Sequence, residues 1–400
     1  MTLPDPRPSE GLRQVINASG TMTGLGASIV APDVVDAVAA FLPQFVEMPD
    51  LQRKAGAVIA KATGAEFGVV TASASAGVSQ AIASYMVGSD LAKAERLPCT
   101  DGLAKTEVVM QIGHMVNYGA PIDQAVRLTG ATLVPVGTST ETKEYQLAGA
   151  LNERTAAALY VVSHHVVHYG QLSLAAFARV CHARGVPVIC DAASEYDLVG
   201  FLKAGADVVI YSGHKFLSGT TSGIVAGPKA IVRGVYLQSY ALGRGMKVGK
   251  EGVVGAMVAL RAWGRRDHAT VQANEERVLH FWKGRLEKIP GITPTITPDP
   301  THNPLSRLHV SINPEKANIT AWDLADRLAA GDPPVIVRDH EVEWDYFFLD
   351  PCNLHPGQET IVAARFEEEC AWARAQAQPV RSSLDDRNRA KEEAMLRWPD

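Results

Sequence analysis

A lysine and an aspartate each follow a short apolar run, and their positions suggest that they act together. Lys215 comes just after Val208-Val-Ile-Tyr, and Asp191 ends the run that begins Val186-Pro-Val-Ile-Cys. In a βαβ chain, two such buried strands would bring the amine and the carboxylate to the same edge of a sheet, where ligands bind in open α/β folds. A lysine that forms an imine, with an aspartate that pairs a pyridinium nitrogen, is how proteins hold pyridoxal phosphate (PLP). The alternative is a surface lysine and a helix-capping aspartate without a joint role.

A phosphate-bearing cofactor also needs an anion site, and one segment offers it. Small residues after the predicted strand Gly68-Val-Val-Thr open a predicted helix, Val78 to Met86. Small side chains let backbone N–H groups approach an anion, and a helix N-terminus favours negative charge. The predicted cofactor contacts are Ser73, Ser75, Ala76 and Gly77, with Ser212 adding a hydroxyl. A serine-rich turn that only caps a helix is the alternative.

Several histidines follow strand ends and are candidates for the remaining cofactor contacts. His114 is the predicted flat partner of the cofactor ring, and His164 or His165 is expected to hydrogen-bond the ring hydroxyl or the substrate. His214, next to the lysine, is a candidate second acid or base. A metal site at His164, His165 and His168 is not expected, because adjacent histidines point apart and no cysteine or carboxylate ligand follows nearby.

Two groups of cations are candidates for binding an anionic substrate. Arg244, Lys247 and Lys250 fall within one short glycine-rich segment, which is either a clamp for an anion or a solvated loop. Arg338 ends Val335-Ile-Val and is a candidate for binding a carboxylate through its planar guanidinium.

The elements that must position these residues alternate between apolar runs and helical patterns. Strands rich in Val and Ile and separated by helices predict a doubly wound, mainly parallel α/β sheet of seven strands. The predicted large, PLP-binding domain is 46–250, and a smaller α+β domain combines 1–45 with 251–400. The predicted strands of the large domain begin at Gly68, Glu107, Thr132, Ala158, Val186, Val208 and Gly223.

The smaller domain shows a mixed pattern. It predicts helices over 253–266, 267–288, 320–330 and 381–400, strands over 307–312 and 335–337, and a Pro/Thr-rich turn over 293–304.

Composition limits the classes of function. The net charge of −5 gives no general attraction for nucleic acid or an anionic membrane. The first residues contain no apolar signal-peptide core, and no stretch approaches a membrane span. Five scattered cysteines without a Cys-x-x-Cys pair are typical of reduced thiols. We therefore expect a cytoplasmic protein with a small-molecule substrate.

Motifs through most of the chain resemble the fold-type-I PLP-dependent enzymes, specifically the group that contains D-glucosaminate-6-phosphate ammonia-lyase and bacterial selenocysteine synthase. The matching segments are Val15-Ile-Asn-Ala-Ser-Gly-Thr, Leu51-Gln-Arg-Lys-Ala-Gly, Gly113-His-Met-Val-Asn-Tyr-Gly-Ala-Pro, Val162-Ser-His-His, Asp191-Ala-Ala-Ser, Ser212-Gly-His-Lys and Arg244-Gly-Met-Lys-Val-Gly-Lys-Glu.

The resemblance implies a role for each part of the predicted site. It implies that Lys215 forms the internal aldimine, that Asp191 holds the pyridine nitrogen and that the turn over 73–77 holds the phosphate. It also implies a homodimer or larger homo-oligomer whose sites are completed at a subunit interface, where 220–222 would reach a neighbouring cofactor.

The chain departs from the related sequences in two places. Cys352 stands where many of them carry an arginine suited to the substrate carboxylate. Either Arg338 replaces that arginine, or the substrate lacks the usual arrangement of its carboxylate. The family pattern also starts by residue 16, without the tRNA-binding extension of selenocysteine synthases, so a tRNA substrate is not expected.

The predicted activity is α,β-elimination with release of ammonia from an amino acid or amino sugar acid, through a carbanion at Cα. A racemase or an aldolase would use the same lysine, aspartate and phosphate site, so both remain alternatives. A cofactor-free α/β interaction scaffold is a third alternative, but it would not need Lys215 and Asp191 at matching strand ends.

Overall fold

The computed structural model describes residues 5–400, which divide into two compact units. The larger unit is Ile29–Arg266, and the smaller one combines residues 5–28 with Asp267–Asp400. Among the described residues, no helix has both the length and the apolar character needed to cross a membrane.

The strands, in chain order, are β1 (Ile16–Ala18), β2 (Phe67–Thr71), β3 (Glu107–Gln111), β4 (Thr132–Val136), β5 (Thr155–Val161), β6 (Val188–Asp191), β7 (Val208–Ser212), β8 (Gly223–Gly227), β9 (Ile292–Pro298), β10 (Ser306–Ile312), β11 (Val335–Val337) and β12 (Tyr346–Leu349). The α-helices are α1 (Pro32–Phe41), α2 (Met48–Thr63), α3 (Ala74–Val87), α4 (Leu91–Arg96), α5 (Ile122–Arg127), α6 (Glu144–Ala150), α7 (Leu174–His182), α8 (Gly200–Lys203), α9 (Lys229–Leu237), α10 (Lys250–Trp263), α11 (His268–Leu286), α12 (Pro314–Ala317), α13 (Ala321–Ala330), α14 (Gln358–Arg374) and α15 (Leu384–Leu396).

The larger unit contains the predicted seven-stranded sheet. Its strand order is β2-β8-β7-β6-β5-β3-β4, and only β8 runs antiparallel to its neighbours. The central strands are buried along their whole length, since helices cover both faces, and this explains their continuous Val, Ile and Ala runs. The predicted α/β fold with a mainly parallel sheet is confirmed.

The parallel strands place their carboxyl ends at one edge of this sheet. β6 ends at Asp191, β7 ends at Ser212, and α3 begins directly after β2, which runs in the same direction as β7. The residues that follow these strands therefore meet at the edge where open α/β sheets bind ligands.

The observed division differs from the predicted boundaries at 45/46 and 250/251. α1 and α10 belong to the larger unit, where α1 packs on α10 and α10 packs on α2. The sequence pattern places both helices outside the alternating strand–helix core, but their tertiary contacts attach them to it.

The smaller unit has two small sheets against one hydrophobic core. β12-β10-β9 is antiparallel, β1 pairs with β11 in parallel, and their inner faces pack on helix residues that include Trp282 and Phe366. The predicted turn over 293–304 is wrong in its first half, because Ile292–Pro298 forms β9. Prolines are tolerated there because β9 is an edge strand, so one side of its backbone needs no N–H donor.

Candidate active site

Lys215 lies at the predicted edge of the sheet and is already oriented by a neighbour. Its Nζ donates a hydrogen bond of 2.6 Å to the Oγ of Ser194. Ser194 follows β6 and Lys215 follows β7, so the two strand ends meet as the sequence predicts. Ser194 was missed as a site residue, although it is the last residue of the Asp191-Ala-Ala-Ser motif.

Asp191 ends β6 as a buried carboxylate, 8% exposed. Its Oδ1 accepts a hydrogen bond of 3.1 Å from the backbone N–H of Ala193, whereas its Oδ2 receives none from the part of the chain that the structure describes. Burial raises the pKa of Asp191, and the positive charge of Lys215 opposes that rise. A buried carboxylate with an unused oxygen beside a lysine fits the protonated pyridine nitrogen of PLP.

The helix N-terminus predicted to hold the phosphate is present, but only part of the predicted turn has N–H groups that are open to an anion. Ser73 is the N-cap of α3: its Oγ accepts from the N–H of Ala76 at 3.0 Å, and its carbonyl accepts from Gly77 at 2.9 Å. The cap already uses the N–H groups of Ala76 and Gly77, and the predicted cofactor contacts of these two residues stay predictions. The N–H groups of Ala74 and Ser75 have no acceptor within residues 5–400 and remain open to an anion.

Gly77 has a packing role instead. A Cβ at this position would lie 3.0 Å from the Val225 side chain and 3.1 Å from that of Ile210. The missing side chain lets α3 approach β7 and β8 closely, which sets the position of the helix N-terminus.

Tyr118 connects the phosphate end to the aspartate and was not predicted. Its hydroxyl lies 2.8 Å from the Oγ of Ser75. Burial raises the pKa of Tyr118, and the negative charge of Asp191 raises it further. Tyr118 therefore lies near both ends of the candidate cofactor site. Its position within Gly113-His-Met-Val-Asn-Tyr-Gly-Ala-Pro was the available signal.

His114 is held rigidly after β3. The ring is 2% exposed, its Nδ1 accepts from the N–H of Val161 at 3.1 Å, and its edge contacts Tyr160 with the ring centroids 4.5 Å apart. Burial lowers the pKa of His114 to about 4, so the ring is neutral with its proton on Nε2. Its predicted stacking on the cofactor ring stays a prediction.

The other predicted histidines lie at or near strand ends. His164 and His165 follow β5 with their ring centroids 3.8 Å apart, so the expectation that these neighbouring rings point apart is wrong. The Oγ of Ser212 is 3.4 Å from the Nδ1 of His214. Burial and the charge of Lys215 lower the pKa of His214, so this imidazole is neutral at physiological pH and can accept a proton.

The candidate cations for substrate binding differ in their exposure and in their contacts. Arg244 and Lys247 are exposed and form no ion pair with any described residue, which suits a clamp for an anion. Lys250 instead donates from Nζ to the carbonyl oxygen of Gln44 at 2.6 Å, a structural contact within the larger unit.

Arg338 belongs to the smaller unit and is buried. Cys352, which replaces the arginine of related sequences, has its thiol pKa raised by burial and carries no charge to substitute for it.

Comparisons with known proteins identify the family of this chain. The profile of the SelA family, described as L-seryl-tRNA selenium transferase, matches residues 15–288. A D-glucosaminate-6-phosphate ammonia lyase from Salmonella typhimurium is 38% identical over 90% of this chain and 96% of its own. A 5'-C-glycyluridine monooxygenase-decarboxylase from a Streptomyces species is 34% identical over 90% of each chain.

A solved structure of D-glucosaminate-6-phosphate ammonia-lyase matches the fold with a TM-score of 0.83 at 37% identity, covering 94% of this chain and 100% of that one. These similarities confirm the predicted enzyme class and cofactor, and they favour a lyase over the racemase and aldolase alternatives. The chain belongs to the SelA family of PLP-dependent fold-type-I enzymes.

Proposed function

We propose that this protein is a PLP-dependent ammonia-lyase that acts on a phosphorylated amino sugar acid. The observation that carries the proposal is the meeting of Lys215, Asp191 and the N-terminus of α3 at one edge of the parallel sheet. The similarity to an ammonia lyase over nine-tenths of the chain supports the reaction and the class of substrate.

Each end of the cofactor has a protein partner in this proposal. Lys215 would hold the cofactor covalently as a Schiff base, Asp191 would pair the pyridine nitrogen, and the N–H groups of Ala74 and Ser75 would bind the phosphate. Ser73 contributes by capping α3, and Ser212 and His164 complete the predicted contacts. When bound, PLP supplies an electron sink that stabilises negative charge at the substrate Cα.

Lys215 also acts as the base in this proposal. The neutral amine removes the Cα proton, and the hydrogen bond between its Nζ and Ser194 fixes the direction of approach. The proton that Lys215 takes from Cα is then available to the hydroxide that leaves Cβ as water, and His214, whose pKa is lowered by burial, is the second candidate base. Elimination releases one water at Cβ, and hydrolysis of the resulting enamine takes up one water. The net reaction therefore converts a 2-amino-3-hydroxy acid to a 2-keto-3-deoxy acid and ammonia.

The substrate phosphate is assigned to Arg244 and Lys247, with His165 as a further substrate contact. Both cations are exposed and have no ion-pair partner among the residues that the structure describes. Replacing either with Ala should raise KM for a phosphorylated substrate and leave KM for its unphosphorylated counterpart unchanged. An equal effect on both substrates would remove the clamp from the proposal.

The reaction is tested by measuring ammonia from D-glucosaminate 6-phosphate with and without oxygen. Elimination requires no oxidant, so equal rates of ammonia and keto acid formation are expected under both conditions. Oxygen consumption with release of carbon dioxide would instead indicate the chemistry named for the Streptomyces relative. Inversion at Cα without ammonia would indicate a racemase, and aldehyde formation an aldolase.

A homo-oligomer, at least a dimer, is also proposed. Apolar side chains on α1 and just after it are exposed, among them Val35, Leu42 and Phe45. Such a contiguous apolar segment is typical of a surface covered by another subunit. Light scattering of the purified protein tests this, and a monomer at micromolar concentration would contradict it. The absence of disulfides among the five cysteines supports a reducing, cytoplasmic location.

A further inference from the structure

A cleft of about 340 Å³ lies within the larger unit, beside the edge strand β2. It is bounded by α2, the first half of β2 and α9. The candidate active site instead follows the last residue of β2, where α3 begins. None of the residues that line the cleft is a predicted cofactor or substrate contact, and its volume is in the range of small-molecule sites.

Helix α9 presents one face to this cleft. Its lining residues are three or four positions apart, which places them on a common face of the helix: Lys229, Val232, Arg233, Tyr236 and Leu237. Val232 is buried, Tyr236 and Leu237 are half-buried, and Lys229 and Arg233 are exposed. The face is therefore apolar at its base and cationic at its rim.

Lys229 and Arg233 carry like charges one helical turn apart. Neither the ammonium nor the guanidinium has an ion-pair or hydrogen-bond partner among residues 5–400. Like charges at this spacing destabilise a helix, and a cation in the first turn opposes the helix dipole. An anion bound by both side chains would offset these two unfavourable effects.

The acidic residues beside the cleft already have partners. Asp50 forms an ion pair with Arg53 in the same helix. Glu66 accepts a hydrogen bond of 2.8 Å from the backbone N–H of Lys229. Neither carboxylate is therefore available to replace an anionic ligand at the rim.

Tyr236 adds a neutral donor to the same face. Burial raises the pKa of Tyr236 to about 12, and the positive charge of Arg53 opposes that rise. The hydroxyl therefore stays protonated at physiological pH and brings no negative charge into the cleft.

The floor of the cleft contains a backbone donor. Gln52 binds both backbone groups of Val70, at 2.8 and 3.0 Å, so Val70 directs them away from β8. Alternate residues of an antiparallel strand face the same side, so Gly68 also directs its N–H and carbonyl outward. The carbonyl lies against Gly56 of α2, where a side chain would not fit. The N–H of Gly68 has no acceptor among the described residues.

The remaining lining is apolar and partly aromatic. Phe67 on β2 and Tyr236 on α9 are half-buried, and Val69 and Val232 are buried. Aromatic side chains pack well against another flat ring. A sugar would place hydroxyl groups against these side chains without hydrogen-bond partners, which is unfavourable. The lining therefore favours a flat apolar group.

We propose that this cleft binds a small aromatic phosphate monoester, with its ring against Phe67 and Tyr236 and its phosphate held by Lys229 and Arg233. A phosphate monoester carries a charge close to −2 at neutral pH, which matches the two cations that lack partners. A carboxylate carries only one negative charge and leaves one of them unpaired. The cleft is thus a second, non-catalytic ligand site, and it does not depend on the reaction proposed above.

Isothermal titration of the PLP-loaded protein tests this site with three probes. Phenyl phosphate carries both the ring and the phosphate, inorganic phosphate lacks the ring, and benzoate has a single negative charge. The titrations use the double variant Arg244→Ala, Lys247→Ala, so that the proposed substrate clamp does not contribute. Phenyl phosphate is expected to bind one site per chain, at least about 10-fold more tightly than either other probe.

Variants of the cleft identify the residues that bind the probe. Lys229→Met and Arg233→Met should each weaken phenyl phosphate binding by about 10- to 100-fold, and Tyr236→Leu by about 10-fold. Lys61→Met is the matched control, because Lys61 is exposed on α2 and does not line the cleft. It should leave binding unchanged. PLP uptake and ammonia release should be unchanged in Arg233→Met, so a failure of the proposed reaction is distinguishable from a failure of this site.

Four results would overturn the proposal. Two are full binding of phenyl phosphate by both Lys229→Met and Arg233→Met, and binding of benzoate as tight as that of phenyl phosphate. The third is a lower melting temperature of unliganded Arg233→Met, because removing one of two like charges should leave the stability unchanged or raise it. The fourth is a smaller particle mass of Arg233→Glu in light scattering, which would show that a second copy of the chain covers the cleft.

Discussion

We propose one functional cation in each unit, Lys215 in the larger and Arg338 in the smaller, and the two side chains have different surroundings. In the larger unit the amine of Lys215 donates a hydrogen bond of 2.6 Å to Ser194. Its positive charge also opposes the rise that burial causes in the pKa of Asp191. In the smaller unit the guanidinium of Arg338 is buried without a hydrogen bond or ion pair from any described residue, although Arg307 nearby is fully paired. A group that must react in one direction is oriented by the protein beforehand. An arginine that serves to bind an anion has no acidic partner within the protein, and the fold tolerates the stability lost by burying that charge.

The largest expected effect concerns the oriented amine. Lys215→Ala removes both the covalent link to the cofactor and the base, so ammonia release should fall by roughly 10⁴-fold or more. The rate of ammonia formation by the cofactor-loaded variant measures this. Because Ser194 and Asp191 remain, the melting temperature should change little. Retention of a tenth of the activity would show that another group acts as the base.

The second prediction contrasts the two buried arginines by stability. Arg307→Met leaves Asp299 and Asp350 buried without their partner and should reduce the free energy of unfolding by about 3–5 kcal/mol. Arg338→Met should leave it unchanged or increase it. Urea denaturation of both variants without ligand measures the difference. Equal destabilisation would mean that Arg338 is structural, and the contrast between the units would fail.

The third prediction uses Asp191 to separate cofactor binding from stability. Asp191→Asn should weaken PLP binding by about 3 kcal/mol, since a buried cation on the ring loses its counter-ion. In the cofactor-free protein Asp191 has the opposite effect: its buried carboxylate lowers the stability of the fold. The raised pKa of Asp191 means that the folded state keeps a proton that the unfolded state has released, so stability falls as pH rises above 3.8, the ordinary pKa of the group.

Asn does not titrate, so the cofactor-free variant should lack this loss of stability. Thermal melts of both cofactor-free proteins across the acidic range, together with PLP titrations at neutral pH, measure the two effects. A variant that binds PLP as tightly as the original protein would exclude Asp191 from the site.

The smallest expected effect concerns Ser194. Ser194→Ala removes one hydrogen bond to Nζ and should reduce kcat by about 10-fold with KM nearly unchanged. Ser194→Thr keeps the hydroxyl and should restore most of the rate. Steady-state kinetics of the two variants check this. A rise in KM without a change in kcat would mean that Ser194 contacts the substrate and does not position the lysine.

The larger unit was more predictable from sequence than the smaller one, and the reason is physical. Its strands are buried on both faces, so they appear as local Val and Ile runs, and their parallel arrangement brings Lys215 and Asp191 together. β1 has three residues, and its partner β11 lies more than three hundred residues away in the chain, so no local pattern marks it. Ser19, the residue after β1, is buried with an Oγ that has no hydrogen-bond partner among the described residues, and no local sequence pattern predicts this.

The phosphate end shows a second limit of sequence patterns. The serine- and alanine-rich turn predicts a helix, and α3 begins there, but which N–H groups stay open to an anion depends on how the cap forms. Ser73 uses the N–H groups of Ala76 and Gly77 and leaves those of Ala74 and Ser75. Tyr118 and Ser194 lie in recognised motifs, yet their roles depend on contacts that only the folded chain makes.

The central claim is that Lys215 carries the cofactor at this sheet edge. Borohydride reduction of the PLP-loaded protein followed by peptide mass spectrometry tests it most directly. The account predicts one phosphopyridoxyl group per chain, on Lys215, with visible absorbance lost on reduction. Attachment to another lysine, or no attachment in a protein saturated with PLP, would contradict it.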